Sequence, residues 1–318
     1  MFKKNWKFIT AFVLILGFGI FLRSEHFHDW ARFNADQARD AGIIDRMVLG
    51  EEIPLLGPHA GGTNFMLGPA FYYIQFSAAK IFGNRPEVIA YPTLIFAILS
   101  IPLFYLLLHK LFSKNISLAV TGLYSVSFYA IKYSRFAWNP NDIPFFMILF
   151  LILLPSAFNF SSKRPLAMAA SLGIVGGILM QLHTLLLVFI PILIVFWAAR
   201  CWMNGKKIVV NVLLIGAMIL IVNIPQIASE AKTGGANFSD FFKGITSKTQ
   251  TDKRLGEKTI KVTECFLQGN LNVLSTIGNS DECQIFEKSK KTVWEIFLIK
   301  IITSLLLLLG GTFLIARS

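Results

Sequence analysis

Charge is scarce in this chain, and acid is scarcer than base: charged residues make up 15% of the 318, with 18 Asp and Glu against 30 Lys and Arg. Together with 54% hydrophobic residues and a mean hydropathy of +0.61, this excludes an ordinary soluble domain. Cysteine is nearly missing too. There are three and no Cys-x-x-Cys pair, so cysteine-based metal clusters and thioredoxin-type redox chemistry have no support. No internal repeat is evident, which removes the pattern expected of a transporter built from two related halves.

What the chain has instead is long apolar runs. Charge is almost absent from 8–22, 88–108, 116–131, 143–158, 166–182, 184–199, 208–228 and 293–314. Several of these approach the ~20 residues that a helix needs to cross hydrocarbon. The reading is an all-α polytopic membrane protein with about eight transmembrane helices. Lys3, Lys4 and Lys7 precede the first run, which keeps the N-terminus cytoplasmic. No small-x-small cleavage site follows it, the chain reading Phe21-Leu22-Arg23-Ser24-Glu25, so a retained anchor is expected rather than a cleaved signal peptide. The net charge of +12 fits basic residues that set topology and sit against anionic headgroups, with no nucleic acid implied.

One segment decides which loops share a side. Met66 to Phe82 is apolar but carries Gln75, Ser77 and Lys80. If it crossed, the basic loops His109 to Lys114, Ser161 to Arg164 and Arg200 to Lys207 would not all face the cytoplasm. Lying at the interface, with Tyr72 and Tyr73 as aromatic anchors, it puts all three inside, as the positive-inside rule requires. The outer segments are then Arg23 to Glu87, Lys132 to Asp142, Gln181 to Thr184 and Glu230 to Lys291. The chain divides into a catalytic core at 1–228 with its outer loop 23–87, a polar loop or small subdomain at 229–291, and a last helix at 292–318 after which the protein is expected to be truncated. Within the polar loop, Cys265 and Cys283 are either bridged or two separate thiols.

Three polar groups converge on the outer face. Asp36, Arg39 and Asp40 are spaced to share one side of a helix, a pattern equally suited to a solvated surface. Tyr133 to Asp142 brings Arg135, whose guanidinium suits a phosphate, together with Asn139, Asn141 and Asp142, which also suit a turn and a cap. Gln181 and His183 lie between two runs, where polar side chains near the membrane are candidates for function. A Gly- and Pro-rich turn, Leu55 to Thr63 with His59, is expected to lie over them.

The residues in this order resemble bacterial and archaeal glycosyltransferase family 39 proteins. Those are related to the dolichyl-phosphate-mannose protein mannosyltransferases and the lipid A aminoarabinose transferases of the GT-C fold. The resemblance is carried by Asp-Gln-Ala-Arg-Asp after the first run, Leu-Leu-Gly-Pro, Leu-Gly-Pro-Ala-Phe-Tyr-Tyr, Tyr-Ser-Arg-Phe-Ala-Trp-Asn-Pro-Asn and Gln-Leu-His, over about residues 1–230. It implies a GT-C-like bundle with interfacial helices in the first outer loop, sited in the cell membrane. The implied activity is transfer of a sugar from a polyprenyl-phosphate donor to an extracytoplasmic lipid, glycan or protein. It makes Asp36 the general base and Asp40 a second catalytic residue, with Asp40 and Arg39 orienting the acceptor or the base, and Arg135 and His183 contacts for the donor phosphate. His59, Tyr72, Tyr73, Asn139, Asn141 and Gln181 complete the expected substrate-binding set. Relatives commonly carry Asp-Glu where this chain has Asp36-Gln37, so a second acid is missing and the case for a divalent cation is weak. The alternatives are a lipid or polysaccharide flippase and an inactive truncated relative.

Overall fold

The computed structural model describes residues 6–29, 33–61, 63–158 and 164–249. The loop cysteines Cys265 and Cys283, the last apolar run and most of the 229–291 segment lie outside the described residues. All regular structure among the described residues is helical. Five helical stretches are long and apolar enough to cross a membrane: α1 (Trp6–Ser24), Val88–His109 ending in α4 (Tyr91–His109), Asn139–Ala157 ending in α7 (Ile143–Ala157), α8 (Pro165–Leu182) and α9 (Thr184–Met203). A sixth forms if the bent pair α10 (Val209–Val222) and α11 (Ile224–Thr233) is one span. The protein is thus an all-α, multi-pass membrane protein.

Among the described residues the expected runs form helices, with two corrections, and the run at 293–314 lies outside those residues. The run at 116–131 is not one helix but two, α5 (Lys114–Ser125) and α6 (Phe128–Tyr133). The cause is a cation on another helix. Arg23, fully buried at the end of α1, donates Nη1 to Ser125 O at 2.7 Å and Nη2 to Tyr124 O at 3.4 Å, taking the carbonyls that a continuing helix would use. Ser127 then caps α6, its side chain accepting from Ala130 N at 3.4 Å. The run at 208–228 bends by 63° where Asn223 ends α10 and Pro225, lacking an N–H, opens α11.

The segment 66–82 does not form a spanning helix. It yields α3 (Ala70–Phe82), whose 13 residues span only about 20 Å, short of a hydrocarbon core of about 30 Å. It pairs with α2 (Ala35–Leu49) in the long connection between α1 and α4. A final described helix, α12 (Ala236–Thr249), folds back over the 55–69 turn: Asn237 Oδ1 accepts from Met66 N at 2.7 Å and its Nδ2 donates to Met66 O at 3.0 Å.

At the centre stands α8, packed on α7, α9 and α10. Its Gly173 and Gly177, one turn apart, face α10 so closely that a Cβ on Gly173 would lie 2.6 Å from Ile215 O. Close approach of this kind is how helices bind each other where lipid removes a hydrophobic drive between them. Apolar side chains on α1, α9 and α10 remain exposed, among them Leu14, Val195, Phe196 and Leu213, as a hydrocarbon surround allows.

Candidate functional site

The first group of expected residues sits at the start of α2, and its geometry begins with a cap. Asn34 Oδ1 accepts from Asp36 N at 3.0 Å, while Gln37 Oε1 accepts from Asn34 N at 3.2 Å, a reciprocal capping arrangement. Gln37 then uses its other amide atom, Nε2 donating to Ala137 O at 2.7 Å in the segment between α6 and α7. A glutamate cannot make that donation. The Gln37 amide is therefore a structural tie between α2 and the Arg135–Asn139 segment.

One arginine then joins the two acids. Arg39 Nη1 lies 3.0 Å from Asp36 Oδ1, and its Nε and Nη2 donate to Asp40 Oδ1 at 3.0 and 2.8 Å. Tyr72, from α3, donates to the same oxygen at 3.0 Å. The environments differ sharply, since the Asp36 side chain is 49% exposed and that of Asp40 is 0%. Burial drives the Asp40 carboxyl above the usual carboxylate range, against the pull of Arg39 and Tyr72. Burial works against the charge of Arg39 as well, but Asp40 beside it outweighs that and the guanidinium holds its proton more tightly than usual. Both shifts are upward, which favours the charge on Arg39 and opposes it on Asp40, because the Arg39 side chain keeps part of its hydration and that of Asp40 keeps none. The Tyr72 hydroxyl is raised by burial and by the adjoining carboxylate.

Arg135 is held differently. Its Nη2 donates to Leu22 O at 2.7 Å and Glu25 O at 2.8 Å, the carbonyls where α1 ends. Burial lowers its proton affinity, with Glu25 opposing. Asn139 Nδ2 donates to Leu182 O at 2.7 Å, at the last residue of α8, and Asn141 Nδ2 to Phe136 O at 3.0 Å. Thr93 on α4 donates to Asp142 Oδ1 at 2.7 Å, locking the start of α7.

At the α8–α9 turn, Gln181 Oε1 accepts from Ala70 N at 2.9 Å and Nε2 donates to Val222 O at 3.0 Å, bridging α3 to α10. Gly68 must lack a side chain here, because a Cβ would overlap the Gln181 amide. His183 caps α9, its Nδ1 accepting from Leu185 N at 3.2 Å, so in the neutral ring Nε2 carries the hydrogen. Burial lowers its proton affinity.

The three polar groups are brought to one end of the bundle. Gln37 ties α2 to residue 137 and Asn139 ties residue 139 to the end of α8, with extended Trp138 between. A cavity of about 170 Å³ lies on the α2 side, lined by His28, Phe33, Gln37, Glu87 and Ala137 among others. A larger one of about 460 Å³ lies on the α9 side, between His183, the Ala60–Phe65 turn and Phe241 of α12. His59 stays exposed and pairs its backbone with Met66, while Tyr73 donates to Pro54 O at 2.8 Å. Among the described residues no group of three or more His, Cys, Asp or Glu side chains gathers to hold a metal.

Gln37, Asn34 and Arg23 were not among the expected site residues. The Asn34-x-x-Gln37 capping pattern was readable in the sequence, whereas the reach of Arg23 and Gln37 to carbonyls some hundred residues away was not. Residues 67–227, half of the chain, match the family model for dolichyl-phosphate-mannose-protein mannosyltransferase. No curated protein and no solved structure matches the chain.

Proposed function

The chain belongs to the dolichyl-phosphate-mannose-protein mannosyltransferase family, membrane glycosyltransferases of the GT-C type, and from that premise we propose that it transfers a sugar from a polyprenyl-phosphate donor to an acceptor hydroxyl on the extracytoplasmic face. Asp36 is the general base. It takes the acceptor's proton as the acceptor oxygen attacks the anomeric carbon; the bond from that carbon to the phosphate oxygen breaks, and polyprenyl phosphate departs with the electron pair. Direct displacement inverts the anomeric centre and needs no covalent enzyme intermediate.

The observation that carries this reading is the state of the Asp36 carboxylate, half-exposed and tethered through a single oxygen to Arg39. A base must reach both solvent-borne acceptor and a fixed position, and this arrangement supplies both. Arg135 and the Nε2–H of His183 are the proposed contacts for the donor phosphate, where developing negative charge needs donors already in place. Support comes from the ties through Gln37 and Asn139 that join α2, the 135–139 segment and the α8–α9 turn. The outer location rests on the positive-inside reading of the three short basic loops.

Membranes containing the chain, incubated with a panel of polyprenyl-phosphate sugars labelled in the sugar, test the proposal. The expected result is label moving from donor to a lipid, glycan or protein for at least one sugar, with loss of transfer in Asp36→Asn. Label that crosses the membrane still attached to its donor lipid overturns the proposal in favour of a flippase. Full transfer by Asp36→Asn removes the base assignment.

A further inference from the structure

Among the described residues the Asp36 carboxylate meets one side chain, Arg39, and that group is anchored elsewhere. Of the three guanidinium nitrogens on Arg39, one serves Asp36 while two end on Asp40 Oδ1. Tyr72 adds a third donor to that oxygen. Asp40 is 0% exposed and Tyr72 1%, so neither is placed to touch an acceptor from solvent. We propose that Asp40 and Tyr72 are positioning residues, a buried anchor that holds Arg39 in the one geometry that orients the Asp36 carboxylate. This rests on the reading of Asp36 as the base.

The magnitudes favour it. An exposed Arg–Asp pair three residues apart on a helix is worth only about 0.3–0.5 kcal/mol. An arginine side chain left to itself has about 2 kcal/mol of rotamer entropy to lose. The pair alone therefore cannot hold Asp36 in one orientation. Three donors converging on one buried carboxyl oxygen can, since the two from the guanidinium are charge-assisted and such bonds are roughly twice as strong as neutral ones. Asp40 Oδ2 has no hydrogen-bond partner among the described residues, so all the anchoring passes through Oδ1.

The anchor is in turn fixed by α3. Ala70 N is held by Gln181 and the Tyr73 hydroxyl by Pro54 O, which leaves Tyr72 no freedom to drift from Asp40. The position of an interfacial helix thus passes through Tyr72, Asp40 and Arg39 to the base. With Asp36 Oδ1 occupied by Arg39, Oδ2 is the atom that takes the acceptor's proton.

The full-length protein carrying Tyr72→Phe, assayed over pH with a labelled polyprenyl-phosphate sugar that the wild type uses, tests the inference. Expected is a fall in kcat of about 10-fold, inside the 10²-fold that a misplacement of about 1 Å costs, with donor KM within about twofold. The acid limb of kcat also moves to higher pH, because the Tyr72 hydrogen bond favours ionised Asp40, whose other facing groups are Arg39 and Asp36. A merely structural role for Tyr72 would scale activity equally at every pH and leave the limb in place. Wild-type kcat and pH profile in Tyr72→Phe, alongside an inactive Asp36→Asn, overturn the inference alone. Retained transfer in Asp36→Asn overturns the base assignment and this inference with it.

Discussion

Two polar clusters sit at the same end of the bundle and spend their side chains differently. Around α2 and α3, side chains meet side chains: Arg39 with Asp36 and Asp40, Tyr72 with Asp40. Around the α8–α9 turn, side chains end on backbone: Gln181 on Ala70 N and Val222 O, Asn139 on Leu182 O, His183 on Leu185 N. In the first cluster one member, Asp36, is left half-exposed with an oxygen to spare. In the second, the amides of Gln181 and Asn139 satisfy backbone groups that would otherwise be stranded at the breaks between helices. Polar residues near a membrane thus divide by what they bond: the first cluster leaves a carboxylate oxygen for an acceptor, whereas in the second the amides are spent on backbone and the Nε2–H of His183 is the group proposed to meet the donor.

Substitutions that separate activity from stability test this division. The largest effect is expected for Asp36→Asn, with initial rates of sugar transfer falling by about 10²–10⁴-fold, the usual contribution of a positioned base. Its thermal midpoint in detergent should stay within about a degree, because a half-exposed carboxylate on a helix surface contributes little to stability. Gln181→Leu is the reverse case. It strands the Ala70 N–H and the Val222 carbonyl, each costing about 1–3 kcal/mol when buried without a partner. A midpoint lowered by several degrees is expected, with transfer per folded molecule kept at low temperature. If Gln181→Leu instead raises a substrate KM without lowering the midpoint, the Gln181 amide is a binding group rather than a backbone tie and the comparison fails.

What could be read from sequence follows the same line. Apolar runs are legible because charge is excluded from every residue that faces lipid, and the short α3 was legible from Gln75, Ser77 and Lys80 in an otherwise apolar stretch. The spacing of Asp36, Arg39 and Asp40 gave one helix face, but not which acid is buried. That depends on α3 arriving with Tyr72, a contact 32 residues away. The break between α5 and α6 was invisible for a similar reason: residues 116–131 carry no helix-breaking signal strong enough, and the carbonyls are taken by Arg23 from α1. Gln37 looked like a lost acid, and only its donation to Ala137 O shows why an amide is useful there.

A smaller effect is expected for Asn139→Leu. One bond to Leu182 O is lost, and interhelical hydrogen bonds in membranes average about 0.6 kcal/mol. The thermal midpoint should fall by a degree or two at most. Because Asn139 also helps tie the 135–139 segment to the α8–α9 turn, a drop in kcat larger than the loss of folded protein would show that this tie matters to the donor site.

The smallest change, and the only one of opposite sign, is expected for Gln75→Leu. Gln75 and Gln181 are both buried amides, on α3 and α8, and differ only in partners: Gln181 has two, and neither amide atom of Gln75 has one among the described residues. A buried amide with nothing to bond costs stability, and replacing it with an apolar side chain of similar shape recovers some of that cost. Gln75 lies on the same buried face of α3 as Phe71, Tyr72, Ala78 and Ala79, so leucine has apolar neighbours to join. The midpoint should rise by about a degree while transfer is unchanged, measured on the same preparations as Gln181→Leu. An unchanged midpoint with reduced transfer would mean that the Gln75 amide bonds something during the reaction, which would extend the first cluster one turn further along α3, beyond Tyr72.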